Sequence, residues 1–291
     1  MKTGRLMTLG MVLVALLSQV GIAQGFPVTL VDDRGQEVVI AEEPSRVVVA
    51  GVALYSQILI DIGAFDKIVA VAESPNNPVE VEDLQLVGPS FSPNVELITA
   101  LAPDLVLGVG DWGGERPALE AVDVTVLTTP MISSVSGIFA TIRTVAKAVG
   151  RYDKAEELIG RIAAEIIAIE AETLMRDQVE CAFLYASIPN DPPYAAGGAS
   201  IEGELIARAG GVNVFGELKG FPQVSLEEIV SRDPNVIFTD PSQVDNIVSN
   251  PVLSLVSAVK NNRVYGIEAS MVTSTKVAEV LNRMSQALQL E

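Results

Sequence analysis

Midway along the chain lies a stretch, residues 152–175, that reads YDKAEELIGRIAAEIIAIEAETLM. It contains no proline and a single glycine, Gly160, and it is rich in Ala, Glu, Ile and Leu. Its Ile and Leu residues recur on one face of a helix, while charged residues cover the rest. At 1.5 Å per residue, a helix of this length spans about 36 Å. We interpret it as a rigid spacer between two lobes; an ordinary long surface helix of a single domain is the alternative.

Short apolar runs alternate with helical periods on both sides of this stretch. Such alternation is typical of parallel strands that helices cover on both faces. Before the stretch, strands are expected at 47–49, 68–71, 105–107 and 124–127, preceded by an antiparallel hairpin at 28–40. After it, strands are expected at 181–186, 236–238 and 264–267, and a final helix at 272–290. The predicted fold class is α/β, with two αβ lobes that carry parallel-type sheets and are joined by one long backbone helix.

A short sequence pattern that occurs once on each side of the long stretch indicates that the two lobes are related. Glu96 stands seven residues before Pro103, and Glu227 stands seven residues before Pro234. In each case a short helix that begins with an acidic residue leads through the proline to a buried strand. The matched spacing favours two lobes of similar build over a chance likeness between two αβ units.

Aromatic residues are concentrated near the predicted ligand-binding edge. Open α/β sheets bind ligands in the loops that follow the carboxyl ends of their parallel strands. The chain has 1 Trp, 5 Tyr and 8 Phe, and five of these residues fall in such loops or beside them: Tyr55, Phe91, Trp112, Tyr194 and Phe221. Aromatic residues on opposed loops predict a cleft that stacks against a large flat or apolar ligand. The alternative is that each ring packs under its own lobe.

The composition excludes several classes of site. The 291 residues carry a formal net charge of −18, with no histidine and one cysteine. Without histidine there is no Ser-His-Asp or Cys-His catalysis and no His-ligated zinc. A chain this acidic is a poor candidate for binding nucleic-acid phosphates. No acid–base pair and no metal-ligand spacing stands out, so we predict no enzyme activity, no cofactor and no metal site.

Two acidic pairs and the cysteine have local interpretations. Asp32-Asp33 and Glu42-Glu43 are expected to be solvated turn charges. Cys181 lies within an apolar strand, where a buried and inert thiol is expected.

The acidic residues of the two short helices that precede Pro103 and Pro234 are open to two interpretations. An acidic side chain in the first turn of a helix is favoured by the helix dipole, and Ser225 with Glu228 has the spacing of a capping box. Glu96 and Glu227 could have this local role alone. Their symmetric placement, one in each lobe, also fits paired docking charges for a basic partner surface.

The first residues predict an export signal. Lys2 and Arg5 precede an apolar run at 6–17, which small residues ending at Ala23 follow. This is the pattern of a secretory signal, and the run is shorter than the roughly 20 residues of a spanning helix; an uncleaved anchor is the alternative. No cysteine follows the run, so no lipoprotein attachment site is present there. We expect a signal peptide at 1–23, lobes at 24–135 and 178–291, connecting helices at 136–177, and a periplasmic or extracytoplasmic mature protein.

Four segments carry a resemblance to a known family. They read PNVELI…APDLVL (93–107), NDPPYAAG (190–197), AGGVNVF (209–215) and FPQVSLE (221–227). Together they resemble the periplasmic metal-chelate-binding proteins of ABC importers, which deliver cobalamin, ferric siderophores or haem. The resemblance covers nearly all of the chain after the predicted signal. It implies two lobes joined by a single long helix, a relatively stiff cleft, a monomer and no catalysis.

The resemblance also assigns roles to residues of both lobes. In cobalamin-binding members one Glu per lobe contacts arginines of the membrane permease, and those positions match Glu96 and Glu227. Aromatic residues that line the cobalamin cleft match Tyr194 and Phe221. The resemblance therefore implies an ABC importer permease as partner and adds to the case for docking charges.

In the first lobe the match to cobalamin binders fails. Two of their Trp positions fall near Ser90 and at Val109, although Phe91 and Trp112 are close enough to substitute. The Tyr ligand of haem binders is absent, an Arg cluster for anionic siderophores is not evident, and relatives that bind divalent metal ions use His.

We therefore expect a solute-binding protein that captures a ferric siderophore or cobalamin-type chelate in an interlobe cleft and delivers it to a permease. The alternatives are an exported α/β enzyme and a sensor or adhesion module.

Overall fold

The structure is a computed structural model that describes residues 25–110 and 115–289. The predicted signal peptide, 1–23, lies outside these residues. The strands are β1 (Val28–Val31), β2 (Glu37–Ile40), β3 (Val47–Val49), β4 (Ile68–Glu73), β5 (Gln85–Pro89), β6 (Leu105–Val109), β7 (Val126–Thr129), β8 (Val179–Tyr185), β9 (Tyr194–Ala195), β10 (Gly211–Asn213), β11 (Val236–Thr239) and β12 (Val264–Gly266). The α-helices are α1 (Ala53–Asp61), α2 (Val95–Ala100), α3 (Glu115–Glu120), α4 (Val135–Ala148), α5 (Tyr152–Thr173), α6 (Ile201–Arg208), α7 (Leu226–Arg232), α8 (Val244–Val248), α9 (Ser257–Lys260), α10 (Ala269–Val272) and α11 (Val277–Gln289). Short 3-10 turns occupy Phe65–Lys67, Val79–Val81, Pro241–Gln243 and Leu253–Leu255.

The first half of the chain forms a parallel sheet with the strand order β5-β4-β3-β6-β7. Its central strands β3 and β6 are buried along their whole length, which explains their unbroken apolar sequences. The edge strand β5 is not among the predicted strands. Only Val87 of its five residues is buried, so no apolar run marks it in the sequence.

The second half forms a sheet of the order β10-β8-β11-β12, again parallel, with the short β9 antiparallel to the end of β8. The edge strand β10 also went unpredicted, because it has three residues and begins with Gly211. A side chain at Gly211 would collide with the Cys181 sulfur, since a Cβ there would lie 2.7 Å from it. Glycine at this position therefore allows β10 to lie close to β8.

The pattern repeated around Pro103 and Pro234 corresponds to the same backbone path in both halves. The N–H of Asp104, just before β6, donates to the carbonyl of Arg46 at 2.9 Å. The N–H of Asn235, just before β11, donates in the same way to the carbonyl of Glu180 at 2.8 Å. The residues before the two prolines, Ala102 and Asp233, both have a φ of 43°. Thus β6 and β11 have equivalent positions in sheets of matching strand order.

The long helix α5 holds the two halves together. It packs against α4 of the first half and against α11 of the second, and its buried face carries Leu158, Ile159, Ile162 and Ile166. Residues of both sheets, such as Val47 and Phe183, belong to one continuous apolar cluster with this face. The prediction of a two-lobed α/β fold with one long backbone helix is therefore confirmed.

Two hydrogen bonds join the halves directly. The N–H of Val135 in α4 donates to the carboxylate of Glu204 in α6 at 2.9 Å. The hydroxyl of Thr275 donates to the carboxylate of Asp61, the last residue of α1, at 2.6 Å. Both bonds connect elements that also pack on the shared core, so they oppose relative movement of the lobes.

The predicted final helix at 272–290 begins later in the structure, because α10 ends at Val272, residues 273–276 are a break, and α11 begins at Val277. Ser274 accepts a hydrogen bond from the N–H of Lys276 at 3.0 Å and donates to the carbonyl of Met271 at 2.8 Å. Such local bonds of hydroxyl side chains compete with helical bonds, which is why the run of Thr and Ser residues here interrupts the helix. The described helices include none that is both long and apolar enough to cross a membrane.

The expectation that Asp32 and Asp33 are solvated turn charges is wrong for both residues. Asp32 is 5% exposed, and Arg116, which is 1% exposed, donates a hydrogen bond to its carboxylate. The side chain of Asp33 is only 11% exposed and accepts a hydrogen bond from Thr128. Arg116 also bonds to Asp33 at 3.3 Å and to Glu120 at 2.9 Å. Burial alone raises the pKa of Asp32, but hydrogen bonds from the N–H of Gln36 and from Arg116 outweigh it and hold the pKa below its usual value. The network ties the β1–β2 hairpin to α3.

Replacing Arg116 is expected to destabilise the fold strongly. Arg116→Met removes the buried cation that pairs with the Asp32 carboxylate, and breaking a buried pair in this way costs about 3–5 kcal/mol of unfolding free energy. Chemical denaturation measures the loss. Arg34 is the matched control, because it contacts the same Asp32 at 3.3 Å but its side chain is 33% exposed. Arg34→Met should cost less than about 1 kcal/mol; equal losses for the two variants would contradict this account.

Candidate functional site

A cavity of about 280 Å³ lies between the two halves, at the carboxyl ends of the strands of the first sheet. Its first wall is formed by loops and strand ends after β3, β4, β6 and β7, and its second wall by α10. Representative lining residues are Val52, Ser74, Val109 and Met131 on the first wall and Ser270 and Thr273 on the second. This is the edge at which open α/β sheets bind ligands. An adjoining cavity of about 200 Å³ shares Ser270 with it and reaches Lys276.

The lining of the main cavity is apolar and hydroxyl-bearing. Among the described residues around it, none is Asp, Glu, Lys or Arg. Polar contacts are available from Ser74, Asn76 and Thr273, and an apolar surface from Phe91, which is 60% exposed. Such a wall suits a ligand with large apolar surfaces and a few hydrogen-bonding groups.

Tyr55 forms the floor of the cavity and offers no ring face to a ligand. It lies in the first turn of α1, not in a loop, and is 1% exposed. Its hydroxyl bonds to the carbonyl of Gly108 at 2.8 Å and to the hydroxyl of Thr129 at 2.7 Å. Burial raises the pKa of Tyr55. A Cβ at Gly51 would lie 2.5 Å from the ring, so glycine at that position makes room for it.

The sequence did contain a signal for this burial. Tyr55, Ile58, Leu59 and Ile62 are spaced i, i+3, i+4 and i+7, which is the buried stripe of a helix. All four are buried in the structure.

The aromatic residues of the second half lie close together at one edge of its sheet. Tyr194 is 50% exposed and Phe221 is 46% exposed. Backbone bonds join their segments, because the N–H of Ala195 donates to the carbonyl of Pro222 at 2.9 Å. Neither ring lines the main cavity, so the structure does not bring them together with Phe91 in one enclosed space. Trp112 lies outside the described residues.

The sequence interpretation missed several lining residues. Met131, which is exposed, follows β7 in a loop without aromatic or charged residues. Thr273 directly follows α10, whereas the prediction placed it inside the final helix at 272–290. Recognising the Thr and Ser run after Val272 as a helix break would have placed Thr273 beside the cleft.

Glu96 and Glu227 occupy equivalent exposed positions in the first turns of α2 and α7. Their helices are capped by other side chains, with Asn94 accepting from the N–H of Leu97 at 3.0 Å and Ser225 from that of Glu228 at 3.0 Å. No ion pair is formed by either carboxylate within 25–110 and 115–289. They are therefore free to meet a basic surface.

The capping box predicted for Ser225 and Glu228 is only half formed. Ser225 caps the helix, but the Glu228 carboxylate pairs with Arg232 at 2.8 Å instead of reaching back to the N–H of Ser225. An i, i+4 ion pair of this kind competes with the second half of the box.

No metal centre is evident in the described part of the chain, where no group of three or more His, Cys, Asp or Glu side chains could hold an ion. Cys181 is buried in β8, and burial raises its pKa to about 12. A thiol in this state is neither a ready nucleophile nor a metal ligand, in line with the inert thiol expected from the sequence.

Comparison with known proteins gives a consistent result. Residues 48–271 match the sequence model of a family described as periplasmic binding protein. The uncharacterized ABC transporter substrate-binding lipoprotein YvrC of Bacillus subtilis is 28% identical over 255 residues, which cover 85% of this chain and 80% of the relative. The vitamin B12-binding protein of Vibrio campbellii is 26% identical over 208 residues, covering 71% of this chain and 74% of the relative.

A solved structure shows the same fold. The protein of an ABC-type Fe3+-hydroxamate transport system from Saccharomonospora viridis superposes with a TM-score of 0.76 at 24% identity, covering 91% of this chain and all of the other. The family match spans most of the chain, including both sheets and α5, and agrees with the resemblance seen in the sequence. The chain therefore belongs to the periplasmic binding protein family, whose members are substrate-binding proteins of transporters.

Proposed function

We propose that this protein is an extracytoplasmic solute-binding protein that captures a ferric siderophore or cobalamin-type chelate between its lobes and delivers it to the permease of an ABC importer. The observation that carries the proposal is the cavity between the two halves. It lies at the carboxyl edge of the first sheet, it is walled by both halves, and an exposed aromatic residue, Phe91, borders it. The names of the relatives, which include a vitamin B12-binding protein and a substrate-binding lipoprotein, support the class of ligand and of partner.

The size of the cavity bears on how such a ligand is held. Pockets that enclose a drug-sized ligand have volumes of about 300–1,000 Å³, and the main cavity has about 280 Å³. A cobalamin or ferric siderophore is larger than a typical drug, so it would fill the cavity with one part and remain exposed to solvent elsewhere. In this proposal Tyr194 and Phe221, which are exposed on the second lobe outside the cavity, cover such an exposed part.

Binding of metal chelates is the direct test of the proposal. Titration with cobalamin, haem and a panel of ferric siderophores, followed by calorimetry and by the fluorescence of Trp112, the single Trp of the chain, should show saturable binding of one class. Absence of binding across the whole panel would exclude the chelate function and favour the enzyme or sensor alternatives.

Truncation of the exposed rings should weaken binding without weakening the fold. Phe91→Ala, Tyr194→Ala and Phe221→Ala are each expected to reduce affinity by about 1–3 kcal/mol, because stacked aromatic residues at a binding site contribute energies of this order. Calorimetry of the chelate that binds gives the affinity, and thermal unfolding gives the stability.

Tyr55→Phe is the matched control, for which we expect a loss of stability instead of a loss of affinity. It leaves the Gly108 carbonyl and the Thr129 hydroxyl without a buried partner, which costs about 1–3 kcal/mol of stability. Ligand affinity should be little changed. An affinity loss for Tyr55→Phe as large as that for Phe91→Ala would overturn the assignment of Tyr55 to the floor.

Reversal of the two exposed glutamates tests delivery to the permease. The double variant Glu96→Arg with Glu227→Arg should keep its affinity for the chelate and lose uptake, because the reversed charges repel a basic docking surface. The control is Glu157→Arg with Glu172→Arg, which reverses two exposed charges on α5 and should leave uptake intact. Normal uptake by the Glu96 and Glu227 variant would remove the docking role.

A further inference from the structure

The second lobe contains a buried carboxylate that is only partly hydrogen-bonded. Glu202, in the first turn of α6, is 4% exposed. One of its oxygens, Oε1, accepts a hydrogen bond from the hydroxyl of Tyr185 at 2.7 Å. The other, Oε2, is buried and has no hydrogen-bond partner in the part of the chain that the structure describes. A buried polar atom without a partner is costly, so Glu202 is not explained by the stability of the lobe.

Tyr185 lies between this carboxylate and an exposed aromatic ring. It is the last residue of β8, at the carboxyl edge of the second sheet. Its ring meets the exposed ring of Phe221 edge-on, with 5.8 Å between the ring centres. Phe221, Tyr185 and Glu202 therefore follow one another from the surface inward.

A second carboxylate lies next to Tyr185. Phe183 of β8 pairs with Phe238 of β11, and the same register continued by two residues places Asp240 beside Tyr185. Burial raises the pKa of Tyr185, and the charges of Glu202 and Asp240 raise it further. Asp240 also accepts a hydrogen bond at 3.4 Å from the N–H of Ala269, the residue before Ser270 of the cavity wall. Asp240 is thus bonded to the segment that forms the second wall of the cavity, and Glu202 is joined to the same sheet edge through Tyr185.

At the main cavity, no cation among the described residues offsets the negative charge of Glu202 and Asp240. No Lys or Arg lines that cavity among the described residues, and the sequence of 111–114, DWGG, contains none. Lys276 reaches the adjoining cavity. It also borders a separate groove in which Lys276 and Arg161 face three carboxylates, those of Asp61, Glu165 and Glu279.

We infer, resting on the proposed function, that the cleft selects chelates without net negative charge, and that Glu202 together with Asp240 is the group that discriminates. A positive group of the ligand near Tyr185 is attracted by the unpaired carboxylate behind it, while a carboxylate or catecholate oxygen there is repelled. The preferred cargo is a neutral or cationic chelate, such as a ferric trihydroxamate that carries an ammonium group or a corrinoid with intact amides. Haem, with two propionates, and ferric triscatecholates are disfavoured.

The test is a series of chelates that share one metal-binding core and differ in the charge of a single peripheral group. For the hydroxamate class, the series is a linear ferric trihydroxamate with a free terminal amine, its N-acetyl derivative and its N-succinyl derivative. For the corrinoid class, it is cyanocobalamin with one peripheral carboxamide converted to an aminoethylamide, left unchanged, or hydrolysed to a carboxylate. In the class that binds, affinity should fall from the cationic through the neutral to the anionic form, by about three- to tenfold at each step at low salt.

Variants identify the group responsible. Glu202→Gln keeps an oxygen for the Tyr185 hydroxyl but removes the charge. It should reduce the affinity difference between successive members of the series to less than about twofold. Asp240→Asn should also reduce the affinity differences between successive members of the series. Asp240 lies at the sheet edge and is not fully buried. Glu172→Gln, which removes an exposed charge on α5, is the matched control and should leave the series unchanged. Thermal unfolding confirms that each variant is folded.

The possible outcomes separate the two levels of the proposal. If no chelate of any class binds, the proposed function fails and this inference fails with it. If chelates bind but the anionic form or haem binds most tightly, the proposed function stands and the inference is overturned. The same holds if the wild-type preference persists undiminished in both Glu202→Gln and Asp240→Asn.

Discussion

The buried face of the helix Tyr152–Thr173 is the constraint on which the rest of the structure depends. Leu158, Ile159, Ile162 and Ile166 pack into an apolar cluster that includes residues of both sheets. Because close-packed interiors resist shear, a shared core holds the two sheets in a nearly fixed relation. The direct bonds from Val135 to Glu204 and from Thr275 to Asp61 act in the same sense. The cleft is therefore a preformed space with limited room for closure.

In a preformed cleft, ligand selectivity depends on the chemistry of the walls more than on movement of the lobes. Here the two walls differ. The wall of the first lobe offers apolar, hydroxyl and amide groups over a floor held by Tyr55, whereas in the second lobe Asp240 bonds to the start of the wall and Glu202 contacts Tyr185 at the same sheet edge. Shape and apolar contact would hold a chelate against the first wall, and the charge behind the second would decide which chelates enter. We therefore propose that binding and discrimination belong to different halves of one site.

Much of the fold could be predicted from the sequence because buried strands and amphipathic helices leave strong periodic patterns. The central strands, α5 and the equivalent positions of Glu96 and Glu227 were all predicted. Edge strands β5 and β10 were missed because they bury few side chains. Asp32 was misjudged because its partner, Arg116, is distant in sequence and only the folded chain brings them together. The site was predicted less well than the fold: walls such as the end of α10 depend on where a helix stops, and Glu202 has no signature in its sequence neighbourhood.

The most direct test of a chelate-binding cleft is the position of the metal itself. Crystals of the protein with the chelate that binds in solution, measured at the absorption edge of iron or cobalt, locate the metal by its anomalous scattering. The account predicts one metal peak between the lobes, with Phe91 and Ser270 on opposite sides of the chelate and Tyr185 behind the second wall. A peak on an outer surface of either lobe, away from these residues, would contradict it.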